Sequence, residues 1–161
     1  NESMGQSGKR DRGPMMRGPM EEFVEKMGRH IEADGGARIG GRLFGFLLLQ
    51  EEPRSLDELA RELRVSKASV STNARLLEQW GLAERVSKPG DRRDFYIAAP
   101  DQSRMLQLRL QRLREMNDLI REGCETLADD RPVARKRLEQ MRRLSDEALD
   151  CFADLLQRWN S

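Results

Sequence analysis

The chain has little of the chemistry that enzymes use. Its 161 residues include one histidine, His30, and two cysteines, Cys124 and Cys151. A Ser-His or Cys-His catalytic pair could be built only around His30, which lies in an Arg/Glu-rich stretch near a predicted helix end. One histidine and two cysteines do not complete a four-ligand zinc site, and no Walker or dinucleotide loop is present. We therefore expect no enzyme, no cofactor and no metal.

Long apolar runs are also missing. The richest stretch, Leu43 to Leu49, is far too short to span a bilayer, and no signal peptide precedes it. Two cysteines are too few for the usual disulfide framework. These absences predict a soluble cytoplasmic protein without membrane contact.

Aromatic residues make up 5% of the chain and charged residues 35%, with a formal net charge of +1. This composition is typical of long, solvent-exposed helices and not of a sheet-rich enzyme. Because the net charge is close to neutral, binding to a polyanion would have to depend on local basic patches.

The N-terminal part divides into a tail and two helices. Residues 1–18 are rich in Gly, Arg and Met without an apolar period, which predicts a disordered tail. The GPMMRGPM stretch could be imagined as a thioether metal site, but a flexible basic arm is the simpler interpretation. Residues 19–35 have a one-sided apolar pattern and predict a helix that we expect to join a dimer. A nearly all-apolar core helix follows and stops before Pro53.

The next segment has the signals of a helix-turn-helix. Ser55 is followed three residues later by Glu58, the reciprocal capping pattern of a helix start. An apolar stripe then runs to Leu63, and Ser66 can cap a second helix that Gly81 ends. Two short helices joined by so few residues predict a helix-turn-helix.

The second helix has two different faces. Val70, Ala74 and Leu77 define the inward face at a 3.6-residue period. The opposite face carries small or hydrogen-bonding residues and no acid: Ser66, Lys67, Ala68, Ser71, Thr72, Arg75 and Gln79. Such residues allow close approach to base edges in a major groove. A plain surface helix in a bundle is the alternative.

The stretch KPGDRRDFY, residues 88–96, predicts a hairpin between two short β runs, 82–87 and 95–99. A hairpin directly after a recognition helix is a wing. Between Arg61 and Arg93 there are eight basic and four acidic residues, a local excess of four positive charges. Arginine at the tip favours a narrow minor groove, whereas an ordinary solvated hairpin is the alternative.

The run GRLFGFLLLQEEPRSLDELARELRVSKASVSTNARLLEQWGLAERVSKPGDRRDFYIAAPD resembles the winged-helix region of the MarR superfamily, most closely its GbsR-like branch. The resemblance covers about residues 36–101. It implies a homodimeric regulator with helix 66–80 in the major groove and wing 88–94, including Lys88, in the minor groove. In the family's wing motif an Asp braces the Arg that enters the groove, so Asp91 would be the brace. Of Arg92 and Arg93, we favour Arg92 as the inserted residue.

Residues 101–161 predict two long dimerisation helices. The first shows a heptad seam formed by Leu106, Leu110, Leu113, Asn117, Ile120, Cys124 and Leu127. The second repeats the rhythm with Ala134, Leu138, Met141, Ala148, Phe152, Leu155 and Trp159. The apolar faces of these two helices are larger than one winged helix can bury, so we expect a symmetric dimer. It would present two recognition helices about 34 Å apart to a pseudo-palindrome.

The predicted fold class is mainly α with a small β-hairpin wing, the winged helix-turn-helix occupying residues 36–100. The predicted function is a sequence-specific regulator of double-stranded DNA, most simply a repressor. A winged-helix protein-interaction module or a non-specific nucleoid-binding protein is the alternative.

Control by a ligand is a separate question. The resemblance implies that a small molecule can act as effector. A quaternary ammonium would prefer an aromatic cage, for which the candidates are Phe23, Phe44, Phe46 and Phe152. These rings can equally be core residues. A small apolar effector, or no effector, fits the sequence equally well. A thiol-based redox sensor through Cys124 or Cys151 is a lesser alternative, since a free cysteine on an apolar face is usually a small hydrophobe.

Overall fold

The computed structural model of the protein describes Met16, residues 18–127 and residues 130–160. The helices of this part are α1 (Pro19–Ala33), α2 (Arg38–Leu48), α3 (Leu56–Leu63), α4 (Lys67–Gln79), α5 (Ser103–Thr126) and α6 (Pro132–Trp159). The strands are β1 (Arg54–Ser55), β2 (Ala83–Val86) and β3 (Phe95–Ala98). The predicted fold class, mainly helical with a small wing, is confirmed. Apart from buried Met16 and from Gly18, the predicted tail over residues 1–18 lies outside the described residues.

The chain divides into two compact units. The first runs to Leu77 and includes Arg85–Ala98, so it contains α1 together with most of the winged helix. The second is formed by Glu78–Glu84 and the chain from Ala99 onward, including α5 and α6. None of the helices in the described residues is long and apolar enough to cross a membrane.

Glycines allow α1 and α2 to pack closely. A Cβ atom added to Gly41 would lie 2.7 Å from the carbonyl oxygen of Met27 and 2.9 Å from the Cα of Gly28. A Cβ on Gly45 would lie 3.0 Å from the Cβ of Met27. Because only glycine leaves this space empty, the glycine-rich start of α2 is explained by helix packing.

Arg42 joins three helices of the first unit. Its Nε donates to Oε1 of Glu25 on α1 at 2.6 Å, and its NH2 group donates to the carbonyl of Leu63 at 3.0 Å. This carbonyl is at the C-terminal end of α3, where helix carbonyls lack intrahelical partners. Arg42 therefore links α1 and α2 to the turn that precedes α4.

The start of α3 is capped as predicted. The Ser55 backbone N–H donates to Oε2 of Glu58 at 2.8 Å, and the Glu58 N–H donates to the Ser55 hydroxyl oxygen at 3.3 Å. Ser55 also belongs to β1, which pairs antiparallel with β3 and places Ser55 opposite Phe95. The sheet order is β1-β3-β2. Strand β1 could not be predicted from the sequence, because two residues are too few to show an alternating pattern.

The core of the first unit lies between its helices. Its completely buried apolar side chains are Val24, Leu43, Phe46, Leu47, Leu59, Leu63, Val70 and Ala74. Phe95 and Tyr96 of β3 are also buried. Burial of these side chains supplies the main driving force for folding of the unit.

In the second unit α5 packs against α6. The predicted seam of α5 is confirmed, since Leu106, Leu110, Asn117 and Ile120 are buried. Of the predicted apolar residues of α6, Met141 and Trp159 are 50% and 58% exposed in the single chain, whereas Ser145, which the pattern did not include, is buried. Helix α6 is apolar on two adjacent faces, and α5 covers the one that includes Ser145 and the half-buried Leu138.

Candidate nucleic-acid interface

The local sequence explains where α4 starts and which of its faces is buried. The Ser66 hydroxyl oxygen accepts a hydrogen bond from the Ser69 N–H at 3.1 Å and so caps the helix. Val70, Ala74 and Leu77 are almost completely buried, which confirms the predicted inward face. Because helical side chains repeat every 3.6 residues, burial of these three residues also decides which residues lie on the outer face.

The predicted outer face of α4 is open to solvent. Its exposed residues are Ser66, Lys67, Ala68, Thr72, Arg75 and Gln79, and Ser71 is half-buried. The Arg75 Nε donates to the Ser71 carbonyl at 3.3 Å, so this guanidinium folds back along its own helix. The small side chains around it leave room for another molecule to approach the helix backbone closely.

Asn73 is a positioning residue that the sequence analysis missed. It is buried, and its Nδ2 donates to the Ser69 carbonyl at 2.8 Å. A Cβ added to Gly40 would lie only 2.9 Å from Oδ1 of Asn73, so α2 and α4 approach closely at this point. An Asn one position before Ala74, beside the apolar stripe, was the available signal.

The wing is built around a tight turn and a buried ring. The Asp91 N–H donates to the Lys88 carbonyl at 3.1 Å, and Gly90 adopts a φ of 78°, which favours glycine. The Nζ of Lys88 lies 4.3 Å from the centre of the Phe95 ring, and the Arg93 guanidinium carbon lies 5.3 Å from it. The ring of Phe95 thus supports two of the wing cations through cation–π contacts.

Asp91 binds Arg93 and not Arg92. Its Oδ1 accepts from the Arg93 backbone N–H and from Arg93 Nε, both at 3.0 Å, and its Oδ2 accepts from the Arg93 NH2 group. These side-chain and backbone hydrogen bonds, together with the charges of Arg93 and Lys88, lower the pKa of Asp91 to about 2. Arg92 is exposed and makes no ion pair or hydrogen bond within the described residues.

Two acids that lie outside the segment Arg61–Arg93 reduce the positive charge of this surface. Asp57 at the start of α3 pairs with Lys67 at 2.9 Å, and Asp94 pairs with Arg85 at 3.6 Å. Several cations form no ion pair with a carboxylate in the described part of the chain: Arg61, Arg64, Arg75, Lys88 and Arg92. The sequence count of eight basic and four acidic residues could not show which of these charges are paired.

The candidate residues for an effector pocket differ in burial. Phe46 is completely buried and belongs to the core, whereas Phe44 and Phe152 are half-buried and Phe23 is 37% exposed. These positions do not test the predicted effector pocket.

The two cysteines and the histidine lie outside the proposed interface. Cys124 is half-buried and Cys151 exposed, and both are free thiols. His30 is exposed, 3.8 Å from the Asp34 carboxylate. Across the described ranges, no three His, Cys, Asp or Glu side chains are grouped to hold a metal ion. Redox sensing stays a prediction.

The chain is similar to known proteins over most of its length. Residues 42–94 match the MarR family, and residues 102–161 match MmpR5-like MarR family transcriptional regulators. The chain is 37% identical over 141 residues to the HTH-type transcriptional regulator MmpR5 of Mycobacterium tuberculosis (strain ATCC 25618 / H37Rv), covering 86% of each protein. It is 28% identical over 81 residues to the HTH-type transcriptional repressor OpcR of Bacillus subtilis (strain 168), covering 50% of this chain and 44% of OpcR.

A solved structure agrees with the fold. The crystal structure of a transcriptional regulator superimposes with a TM-score of 0.80 at 36% identity, covering 88% of this chain and 97% of that one. The winged helix and the exposed basic surface therefore define a helix-turn-helix transcriptional regulator. The chain belongs to the MarR family of transcriptional regulators.

Proposed function

We propose that the protein is a homodimer that binds a pseudo-palindromic operator in double-stranded DNA and represses transcription by occupying the promoter. The observation that carries this proposal is the acid-free, exposed outer face of α4 beside a wing with three cations, Lys88, Arg92 and Arg93. Side chains of this face suit direct base contacts: Thr72 and Ser71 can pair with either donors or acceptors, and Arg75 and Gln79 match guanine and adenine edges. On DNA binding, Lys67 would leave the Asp57 carboxylate and pair with a DNA phosphate.

Arg93 is the residue that we propose to enter the minor groove, in place of Arg92, which the sequence favoured. The resemblance implies that the braced arginine is the inserted one, and Asp91 binds Arg93 with both carboxylate oxygens. Two parallel hydrogen bonds fix the plane of a guanidinium, which reduces the entropy lost on insertion into a narrow groove. Arg92 is free to contact a phosphate beside the groove.

A second copy of the chain would cover the apolar surface of the second unit. The large exposed apolar side chains of α5 and α6 are Met116, Leu119, Val133, Met141, Leu144, Leu155 and Trp159. Those on α6 fall within a stripe about 80° wide at 100° per residue. Exposed patches of this kind are typical of interfaces. Met20 and Phe23 on α1 are exposed as well and support a contribution of α1 to the dimer.

Finer aspects of the function rest on the family resemblance or on the composition of the sequence. A place in the GbsR-like branch, a small apolar or quaternary-ammonium effector, the lack of enzymatic activity and a cytoplasmic location belong to this proposal. Among the aromatic candidates for binding such an effector, Phe44 and Phe152 are each half-buried and Phe46 is completely buried.

Selection of binding sites from a random DNA pool tests the proposal directly. We expect a palindrome with half-sites one helical turn apart. The selected duplex and a scrambled duplex are then titrated over a salt series, and the selected one should bind roughly a thousandfold tighter or more. Equal affinity with the same steep salt dependence would indicate a non-specific nucleoid protein. Absence of binding at low salt would indicate a protein-interaction module.

A further inference from the structure

Arg64 has an unusual backbone conformation. It lies in the left-handed region with φ 56° and ψ 46°, and within the described residues it is the only non-glycine residue with a positive φ. An L-residue with a Cβ atom is disfavoured there by contact with its own carbonyl oxygen. Such outliers persist where the surrounding structure imposes them, and they are concentrated at functional sites.

The local motif does not require an arginine. The Arg64 N–H donates to the Arg61 carbonyl at 3.3 Å, and the Val65 N–H donates to the Ala60 carbonyl at 3.1 Å. These two bonds form a Schellman motif at the end of α3, in which the left-handed residue is usually Gly and sometimes Asn. The backbone of the turn would therefore be satisfied at lower strain without the Arg64 side chain.

The side chain of Arg64 is free. It is exposed, and no carboxylate or carbonyl binds its guanidinium in the part of the chain that the structure describes. Lys67 and Arg93, by comparison, are paired with Asp57 and Asp91. An unpaired cation can bind a phosphate without first giving up an internal partner.

Arg64 is also placed where DNA backbone is expected. It lies in the turn directly before Ser66, which caps the N-terminus of α4. When the N-terminal residues of a recognition helix contact base edges in the major groove, the preceding helix crosses the phosphate backbone. The turn between the two helices then lies beside that backbone.

We propose that Arg64 is a phosphate-binding residue, and that its strained conformation is retained because it directs the guanidinium toward the DNA backbone. This inference rests on the proposed DNA-binding function. It assigns a DNA contact to a residue outside the α4 face and the wing, and it predicts opposite effects of one substitution on stability and on binding.

The test compares Arg64→Gly, Arg64→Asn and Arg64→Lys in the full chain, on the selected duplex and on a scrambled duplex. Gly and Asn tolerate the left-handed region, so their Tm values should equal or exceed that of the wild type. Their Kd should rise roughly tenfold on both duplexes, because a phosphate contact carries no sequence information. The slope of log K against log salt should fall by about 0.9 for each Arg64 removed, or about 1.8 per dimer. Arg64→Lys should keep the salt slope.

Arg114→Gln, which removes an exposed charge from α5, is the matched control and should keep both the Kd and the slope. The inference is overturned if Arg64→Gly binds with wild-type Kd and slope, or if Arg114→Gln loses as much affinity. A Tm several degrees lower for Arg64→Gly would remove the strain argument, and a loss confined to the selected duplex would mean a base contact. If the wild type binds neither duplex, the proposed function itself is wrong.

Discussion

The two arginines at the wing tip differ in their partners, although they are neighbours in the sequence. Asp91 holds Arg93 through its backbone and its guanidinium, while Arg92 extends without a partner in the described residues. We predict that Arg93→Ala raises the Kd for the selected duplex by about ten- to a hundredfold, because a groove contact and its pre-organisation are lost. Arg92→Ala should raise the Kd less, and by similar factors on selected and scrambled DNA. Fluorescence anisotropy titrations measure both.

A control variant separates pre-organisation from charge. Asp91→Ala removes a negative charge from a DNA-binding surface, which on charge alone would strengthen binding. If Asp91 orients Arg93, this variant should instead weaken binding nearly as much as Arg93→Ala. Asp94→Ala removes the same charge from the Arg85 pair and should leave the affinity unchanged or higher. A gain of affinity in Asp91→Ala would contradict the proposed role of Arg93.

The ionisation of Asp91 gives a prediction about pH. Its pKa is about 2 in the folded protein, below the unfolded value of about 3.9. Because the folded-state pKa is depressed, the pair stabilises the protein fully above about pH 4, and this contribution is lost as the pH falls toward 2. We expect the difference in urea midpoint between wild type and Asp91→Asn to stay constant from pH 8 to pH 5 and to shrink below pH 4. If the difference in urea midpoint disappeared between pH 7 and pH 5, a group other than Asp91 would be responsible for the pH dependence.

At the scale of the elements, the close packing of α1 on α2 depends on glycine. A Cβ on Gly41 would lie 2.7 Å from a backbone oxygen, which no side-chain movement can relieve. We predict that Gly41→Ala lowers the free energy of unfolding by about 1–3 kcal/mol, although alanine is the better helix former. Thermal denaturation followed by circular dichroism should show a Tm several degrees lower.

Gly123 provides the matched control in a helix. A Cβ at this position would lie 3.5 Å from Leu138, an ordinary van der Waals distance. Gly123→Ala should therefore keep or raise the stability, by up to about 1 kcal/mol from helix propensity. Equal losses in both variants would mean that glycine is needed in these helices for a reason other than close packing.

The sequence was sufficient for the elements whose signals are local. The capping pair Ser55 and Glu58 predicted the start of α3, and the period of Val70, Ala74 and Leu77 predicted which face of α4 is exposed. Strand β1 was missed because its pairing with β3 is a long-range contact that leaves no pattern in two residues. The binding of Asp91 to Arg93 also depends on backbone geometry, since a turn decides which neighbouring side chain a carboxylate can reach.

The exposed face of α6 is understood only at the scale of the whole molecule. A heptad count cannot say which of two adjacent apolar faces is covered within one chain, so the sequence did not show that Met141 and Trp159 are exposed there. We predict that Leu144→Glu, which places a charge in the exposed apolar stripe, converts the proposed dimer to a monomer. Sedimentation equilibrium should show the change in mass. Affinity for the palindrome should fall by orders of magnitude, because a monomer binds one half-site without the second.

Ala153→Glu adds the same charge at an exposed position of α6 away from the stripe, so it should leave the dimer intact. Dimerisation through another surface would be indicated if Leu144→Glu stayed dimeric with unchanged Tm. A monomeric Leu144→Glu that kept full affinity for the palindrome would contradict the role of the dimer in recognition.

The link from Arg42 to Glu25 and to the Leu63 carbonyl bears on how small an autonomous DNA-binding fragment can be. A fragment starting at residue 36 would lose α1, so it would expose the glycine-lined side of α2 to water and leave Arg42 without its carboxylate. The turn between α3 and α4, which Arg42 holds through Leu63, would lose part of its support. We therefore expect a fragment that keeps the geometry of the turn before α4 to include α1, so that the N-terminal helix supports the proposed DNA-binding surface.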